Sequence, residues 1–131
     1  MKYKKKLATI DTQDALIGNR AYDLASLIDD VRFKSNKKLK DNIYNYYLKL
    51  NDDKVNKVIL LNDFEILSVI RNMKIIGIFA RLAARDKKMT YLKLIPHAWK
   101  LIEFRMQSNQ IFDGLKRILD INFPKKIRNH K

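Results

Sequence analysis

The chain has 131 residues, 47% of them hydrophobic, and a formal net charge of +14. This length allows one domain and is enough for a core of its own. The lack of cysteine excludes disulfides, thiolate metal sites and cysteine nucleophiles, and no apolar run approaches the ~18 residues of a membrane-spanning helix.

The start, Met1-Lys-Tyr-Lys-Lys-Lys-Leu, looks like a secretory n-region. The apolar stretch behind it is too short and ends at Asp11, so no signal peptide is expected and the reading is cytoplasmic. Residues 5–10 read as a strand, with Leu7 and Ile10 among small or β-favouring neighbours. Residues 12–20 form a loop in which Gly18-Asn19 tolerates positive φ. From Ala21 to about Arg32, Leu24, Leu27, Ile28 and Val31 repeat at helical spacing, which places Asp29 and Asp30 on the exposed side.

Asn36 is positioned to cap a helix running to about Leu50, with Leu39, Ile43, Tyr46, Tyr47 and Leu50 on its apolar face. A short helix is expected over 55–61. Asn62-Asp-Phe-Glu65 then fits a capping box that opens the longest helix, to about Arg85. Its wide stripe comprises Ile66, Leu67, Ile70, Met73, Ile76, Gly77, Phe79, Ala80 and Ala83. A glycine inside a helix costs about 1 kcal/mol against alanine, so Gly77 suggests a close crossing with the first helix. Residues 86–90 read as a polar hairpin loop. The pattern from Tyr91 to about Met106 is helical, with Pro96 kinking it or starting its second part. Ser108 or Asn109 caps a last helix to about Ile121, and residues 125–131 read as a frayed basic tail after the domain of residues 1–124.

The charge invites a nucleic-acid reading. Lys, Ile and Asn, which A/T-rich codons encode, make up 47 of the 131 residues. The lysines are scattered among acids, and no RNP motif or zinc ligand set is present, so only non-specific binding is expected. Tyr44, Tyr46 and Tyr47 form a possible stacking platform, but on a helix they point different ways, and core plus surface is the simpler account. His97 beside Trp99 has two readings, a sugar-stacking or acid–base group and a satisfied helix histidine. Arg81 and Arg85, one turn apart, form either an anion site or a salt-bridged face.

One block goes beyond composition: Leu7-Ala-Thr-Ile-Asp11-Thr-Gln-Asp14-Ala, then Gly18, then Tyr22-Asp23-Leu-Ala-Ser-Leu-Ile. It resembles the metal-binding segment of the aminoglycoside phosphotransferase family of small-molecule kinases. Arg71 to Asp86, followed by Tyr91-Leu-Lys-Leu-Ile-Pro96-His-Ala-Trp99, is similar to the central helices of its bacterial N-acetylmuramate/N-acetylglucosamine anomeric kinase branch. The resemblance spans roughly residues 5–120. It implies a mainly α chain, the C-lobe of a protein-kinase-like α+β fold, with one or two N-terminal strands and five or six helices.

In such folds an acid at a strand end binds Mg²⁺ between the ATP phosphates. The resemblance gives that role to Asp11, with Thr12-Gln13 where Phe-Gly usually stands. On spacing alone Asp11 reads as an acidic turn residue that caps the next loop, and it is the flanking Gln13-Asp14-Ala15 and Tyr22-Asp23-Leu24-Ala25 that turn the reading to a metal ligand. Asp23 is implied as a structural brace of the catalytic loop; Asp14 either shapes the acceptor pocket or caps the turn, and Arg81 and His97, by residue type, are further candidates for that pocket. The implied cofactors are Mg²⁺ and ATP, the acceptor a small sugar, and the partner a separately encoded N-terminal half. Thr12 and Asn19 depart from the family's usual Phe and Pro. No His-x-Asp-x-x-x-x-Asn loop and no Gly-rich phosphate loop occur in the 131 residues. The expectation is a half-kinase inactive alone, since losing single members of a catalytic unit already costs orders of magnitude. A non-catalytic basic helical protein that binds RNA or another polyanion is the alternative.

Overall fold

A segment of 30 residues, Lys57–Asp86, sets the architecture, because three sets of apolar side chains leave it in different directions. In the computed structural model of the protein, residues 2–3, 6–7, 17–51, 54–107 and 109–129 are described. The described residues are mainly helical. Two minimal strands, β1 (Lys2–Tyr3) and β2 (Lys6–Leu7), pair antiparallel, Lys2 opposite Leu7 and Tyr3 opposite Lys6. Six helices follow: α1 (Ala21–Ile28), α2 (Lys37–Leu50), α3 (Lys57–Asp86), α4 (Ile95–Met106), α5 (Asp113–Asn122) and α6 (Lys125–Arg128). Short 3-10 turns precede α4, at Met89–Leu94, and α5, at Gln110–Phe112.

Of the strand expected over 5–10, Lys6 and Leu7 are described and pair with Tyr3 and Lys2, and the other positions lie outside the described residues. Such a ladder has little stability of its own. Asp11 and Asp14 lie outside the described residues.

The break expected near residue 62 does not occur. Asn56 caps α3 instead, its Oδ1 accepting from the Val58 and Ile59 amides at 3.0 and 3.1 Å. With the orphan amides satisfied there, the helix runs through Asn62, whose side chain accepts from Asn109 Nδ2 at 3.1 Å. At the other end Lys87 adopts φ 57, and the Lys88 amide bonds back to the Leu82 carbonyl at 3.1 Å. The Lys87 amide bonds to the same carbonyl, and the two bonds close the last turn with a left-handed residue at the helix end.

The first cluster around α3 joins Ala21, Leu24, Ala25 and Ile28 of α1 to Leu60 and Phe64, with Ile43, Tyr44, Tyr47 and Leu48 of α2 against it. The second joins Val69 to Trp99, Ile102 and Met106 of α4, then to Phe112 and Leu119. The third joins Phe79 to Val31, Ala98 and Leu101. The buried stripe of α3 differs from the apolar one in the sequence. Ile70 is exposed, whereas Glu65, Ser68 and Asn72 are buried. Hydrogen bonds replace apolar contact at those three positions.

α1 meets α3 at Leu60 and Phe64, not near Gly77. Gly77 is exposed, its φ is not positive, and a Cβ built there meets nothing within 4 Å. The close crossing expected there is absent. The C-terminal segment is not frayed over residues 125–128. Arg128 is buried under α4 and donates to Glu103 at 2.9 Å, to Asp120 at 2.7 Å and to the Phe123 carbonyl, with its guanidinium 5.0 Å from the Trp99 ring centroid.

Gly77→Ala therefore removes a helix-interior glycine without any steric cost. The expected outcome is a gain of about 0.5–1 kcal/mol, read as a higher denaturant midpoint at unchanged slope. A loss of stability would show that a neighbour does approach residue 77.

Candidate functional site

The helical count that puts Asp29 on the surface takes Leu27 as part of the apolar face, but α1 buries Ala21, Leu24, Ala25 and Ile28 and leaves Leu27 exposed, and Asp29 follows Ala25 by four residues. Asp29 is the C-cap at φ −110 and ψ 39, and its amide still bonds to the Ala25 carbonyl. It is 0% exposed. Arg105 of α4 holds both oxygens, Nε to Oδ2 at 2.8 Å and Nη2 to Oδ1 at 3.2 Å. Lys40 of α2 reaches Oδ1 at 2.7 Å, and Ser68 of α3 donates to Oδ2 at 2.6 Å. Asp30 does remain near the surface, forked by Arg32.

Burial alone would raise the Asp29 pKa. The Arg105 ion pair and the Lys40 and Ser68 hydrogen bonds outweigh it, and the net shift is downward. Asp29 is therefore a charged acceptor with its lone pairs committed, unsuited to act as a base. The Arg105 guanidinium also lies 4.6 Å from the Phe64 centroid and 5.1 Å from that of Phe104, so its faces are covered as well.

A cleft of about 200 Å³ opens beside this cluster, between the start of α2 and the outer side of α4. Ser35, Lys37, Lys40, His97, Phe104 and Arg105 are among its walls. The pKa of His97 is lowered by burial first and then by Lys40, Lys34 and Lys100. The imidazole is therefore neutral at pH 7, and its Nε2 is buried without a hydrogen-bond partner. A larger cleft, about 330 Å³, lies between the loop before α1 and the start of α3 and is lined by Asn19, Arg20, Lys54, Asn56 and Asp63. Asn19 organises it, accepting from the Ala21 amide at 2.9 Å and donating to Asp63 at 2.6 Å.

The sequence candidates are dispersed. Asp23 is exposed in the first turn of α1. Arg81 is exposed on α3 and is not part of the His97 cleft. Arg85 pairs with Asp86 at 2.6 Å, the salt-bridged alternative for that face. Trp99 and Leu101 are core residues, whereas Phe104 is 45% exposed. Asp29, Lys40, Ser68 and Arg105 were not among the candidates. The available signal was Ser68 and Asn72, polar residues four and eight positions after buried Phe64, where a wholly apolar face was expected. Among the described residues no three His, Asp or Glu converge as a metal site, and no helix is long and apolar enough to cross a membrane.

Removing one partner of a buried ion pair leaves the other charge uncompensated, so Arg105→Met should cost about 3–5 kcal/mol in urea unfolding. The pKa of Asp29 is lower folded than in the unfolded chain, where it is near 3.8. Its contribution to stability is thus full above that value and is lost as pH falls through the folded value. Asp29→Asn should flatten the acid limb of the stability curve there.

Over 98 residues the chain is 29% identical to the N-acetylmuramate/N-acetylglucosamine kinase of Caulobacter vibrioides. The match takes in 75% of this chain and 27% of that kinase, so the chain spans about a quarter of its relative's length. No family model and no solved structure matches. The similarity supports a distant, kinase-like relationship.

Proposed function

We propose that this chain is the helical, acceptor-side portion of a sugar-kinase-like phosphotransferase and has no turnover alone. The observation that carries this reading is the 29% identity over 98 residues to an amino-sugar kinase. The mainly helical fold around one long central helix is consistent with it. In this reading the chain belongs with the aminoglycoside phosphotransferase family, and Asp11 is a ligand of Mg²⁺. When bound, Mg²⁺ and ATP supply the phosphoryl group and neutralise its charge. The chain's own part is positional. Asn19 ties the loop that follows the Asp11 segment to α3 through Asp63, and α1 rests on α3 through Ala21, Leu24 and Ile28. Asp23, at the start of α1, would brace groups supplied by a separate N-terminal half.

The test is γ-phosphoryl transfer from radiolabelled ATP to N-acetylmuramate, N-acetylglucosamine and an aminoglycoside. The expected result for the chain alone is no transfer above the Asp11→Ala background. With an N-terminal kinase half added, transfer should appear and should be lost in Asp11→Ala. Transfer by the chain alone would overturn the inactive half-enzyme, and none with any N-terminal half would overturn the kinase reading.

The net charge of +14 favours polyanion binding as a second reading. Charge without base-reading groups gives counterion release, so RNA affinity should be weak, indifferent to sequence and steeply reduced by salt. A gel-shift series over ionic strength checks this, and a sequence-selective complex at physiological salt would bring the second reading forward.

A further inference from the structure

We propose that the cleft between the start of α2 and α4 binds a small phosphate monoester. Its phosphate would lie among Lys37, Lys40 and His97, and its organic body against Leu101 and Phe104.

Four observations converge on this ligand. The first is charge. Lys37, Lys40 and Arg105 line the cleft, and Lys34 and Lys100 are near enough to act on His97. Of the two acids, Asp29 is consumed by its own ring of donors. The other, Asp41, is an exposed residue of the cleft wall. The local balance is positive.

The second is unspent donor capacity. An ammonium carries three N–H groups, and the Lys40 side chain has one hydrogen bond, to Asp29. Asp29 fixes Lys40 in place without using it up. Lys37 has no ion-pair partner among the described residues. The third is His97 Nε2, a buried nitrogen at this cleft with no hydrogen-bond partner. Buried polar atoms are normally satisfied, and this unpartnered nitrogen, closed to solvent as it stands, would meet a ligand atom once the ring turns toward the cleft. Bound to an anion, the imidazole would gain a proton more readily.

The fourth is the wall. Leu101 and the 45%-exposed Phe104 give the cleft an apolar side that inorganic phosphate would not use. Its volume, about 200 Å³, is below the range for drug-sized ligands and suits a small ring or short chain. The donor set separates phosphate from carboxylate. The planar guanidinium fork of Arg105, the natural carboxylate partner, is already occupied by Asp29. What remains is two ammonium groups and an imidazole, point-like donors that suit a tetrahedral anion. The cleft lies within the described residues and needs no ATP, metal or second polypeptide. The inference therefore stands or falls separately from the kinase reading.

The experiment uses the whole chain, with phenyl phosphate, inorganic phosphate and benzyl alcohol as probes. Affinity is read by calorimetry, and the His97 ring nitrogens by NMR. Phenyl phosphate should shift the His97 resonances and raise its titration midpoint. It should bind about tenfold more tightly than inorganic phosphate, equivalent to about 1.4 kcal/mol, and benzyl alcohol should not bind. Lys37→Gln, an exposed change that leaves the Asp29 cluster intact, should weaken phenyl phosphate about tenfold. His97→Gln should abolish proton uptake on binding. Equal affinity for inorganic phosphate would overturn the monoester assignment. Unperturbed His97 resonances, or binding unaffected by Lys37→Gln, would overturn the site.

Discussion

A carboxylate withdrawn from water at the end of α1 is the point on which the helical packing turns. Burying an isolated charge costs several kcal/mol even after relaxation, and Asp29 escapes that cost only because two cations and a hydroxyl converge on it. Each donor comes from a different helix. Lys40 fixes the rotation of α2, Ser68 fixes the phase of α3, and Arg105 fixes α4 against both. A hydrophobic contact tolerates sliding, whereas a bidentate pair with 2.8 and 3.2 Å bonds does not.

α2 shows the dependence most directly. It has no fully buried residue, and its apolar side chains are only half covered by α1 and α3. Tyr44 stacks at a tilt on Phe64, with centroids 5.2 Å apart, and Lys40 supplies the polar anchor. The cleft with His97 exists because α2 is held at that distance from α4. Arg105 serves both sides, since its guanidinium is in contact with Phe64 in one cluster and Phe104 at the cleft rim. In a chain with 28 basic and 14 acidic side chains, a buried acid that gathers cations also relieves part of their mutual repulsion.

Local chemistry was legible in the sequence. Asn36 caps α2 by accepting from the Leu39 amide, and Pro96 sits at the start of α4 after a 3-10 turn rather than kinking one long helix. Asn109 opens the last helical stretch by accepting from Ile111. These features depend on a few neighbouring residues and need no tertiary partner. The errors occurred where distant residues decide. Asn62-Asp-Phe-Glu65 is a sound capping box, but Asn56 caps first, and Asn62 and Glu65 instead meet Asn109 from more than forty residues away. Asp29 looked exposed because Leu27 was counted on the buried face, whereas α1 turns Ala21, Leu24, Ala25 and Ile28 inward and Leu27 to solvent. Arg128 looked like part of a loose tail because nothing nearby in sequence announces Glu103 and Trp99 beneath it. The functional candidates fared similarly. His97 lines a cleft whose walls include neither Arg81 nor Asp23, and the residues that build the cleft floor carried no motif.

The separation between Asp29 and Arg105, 76 residues, has a consequence for synthesis. Translation proceeds at roughly 5–20 residues per second. For several seconds after Asp29 is made, the guanidinium that completes its cluster does not yet exist. During that interval the carboxylate has Lys40, and then Ser68, but no bidentate partner, and burial of α1 against Phe64 would leave it under-satisfied. Arg105 of α4 closes the polar cluster at Asp29, and α4 also brings Trp99, Ile102 and Met106 to Val69, while the apolar cluster is completed only by the later Phe112 and Leu119. Order of synthesis thus puts the pairing of the buried carboxylate ahead of the closing of the apolar core.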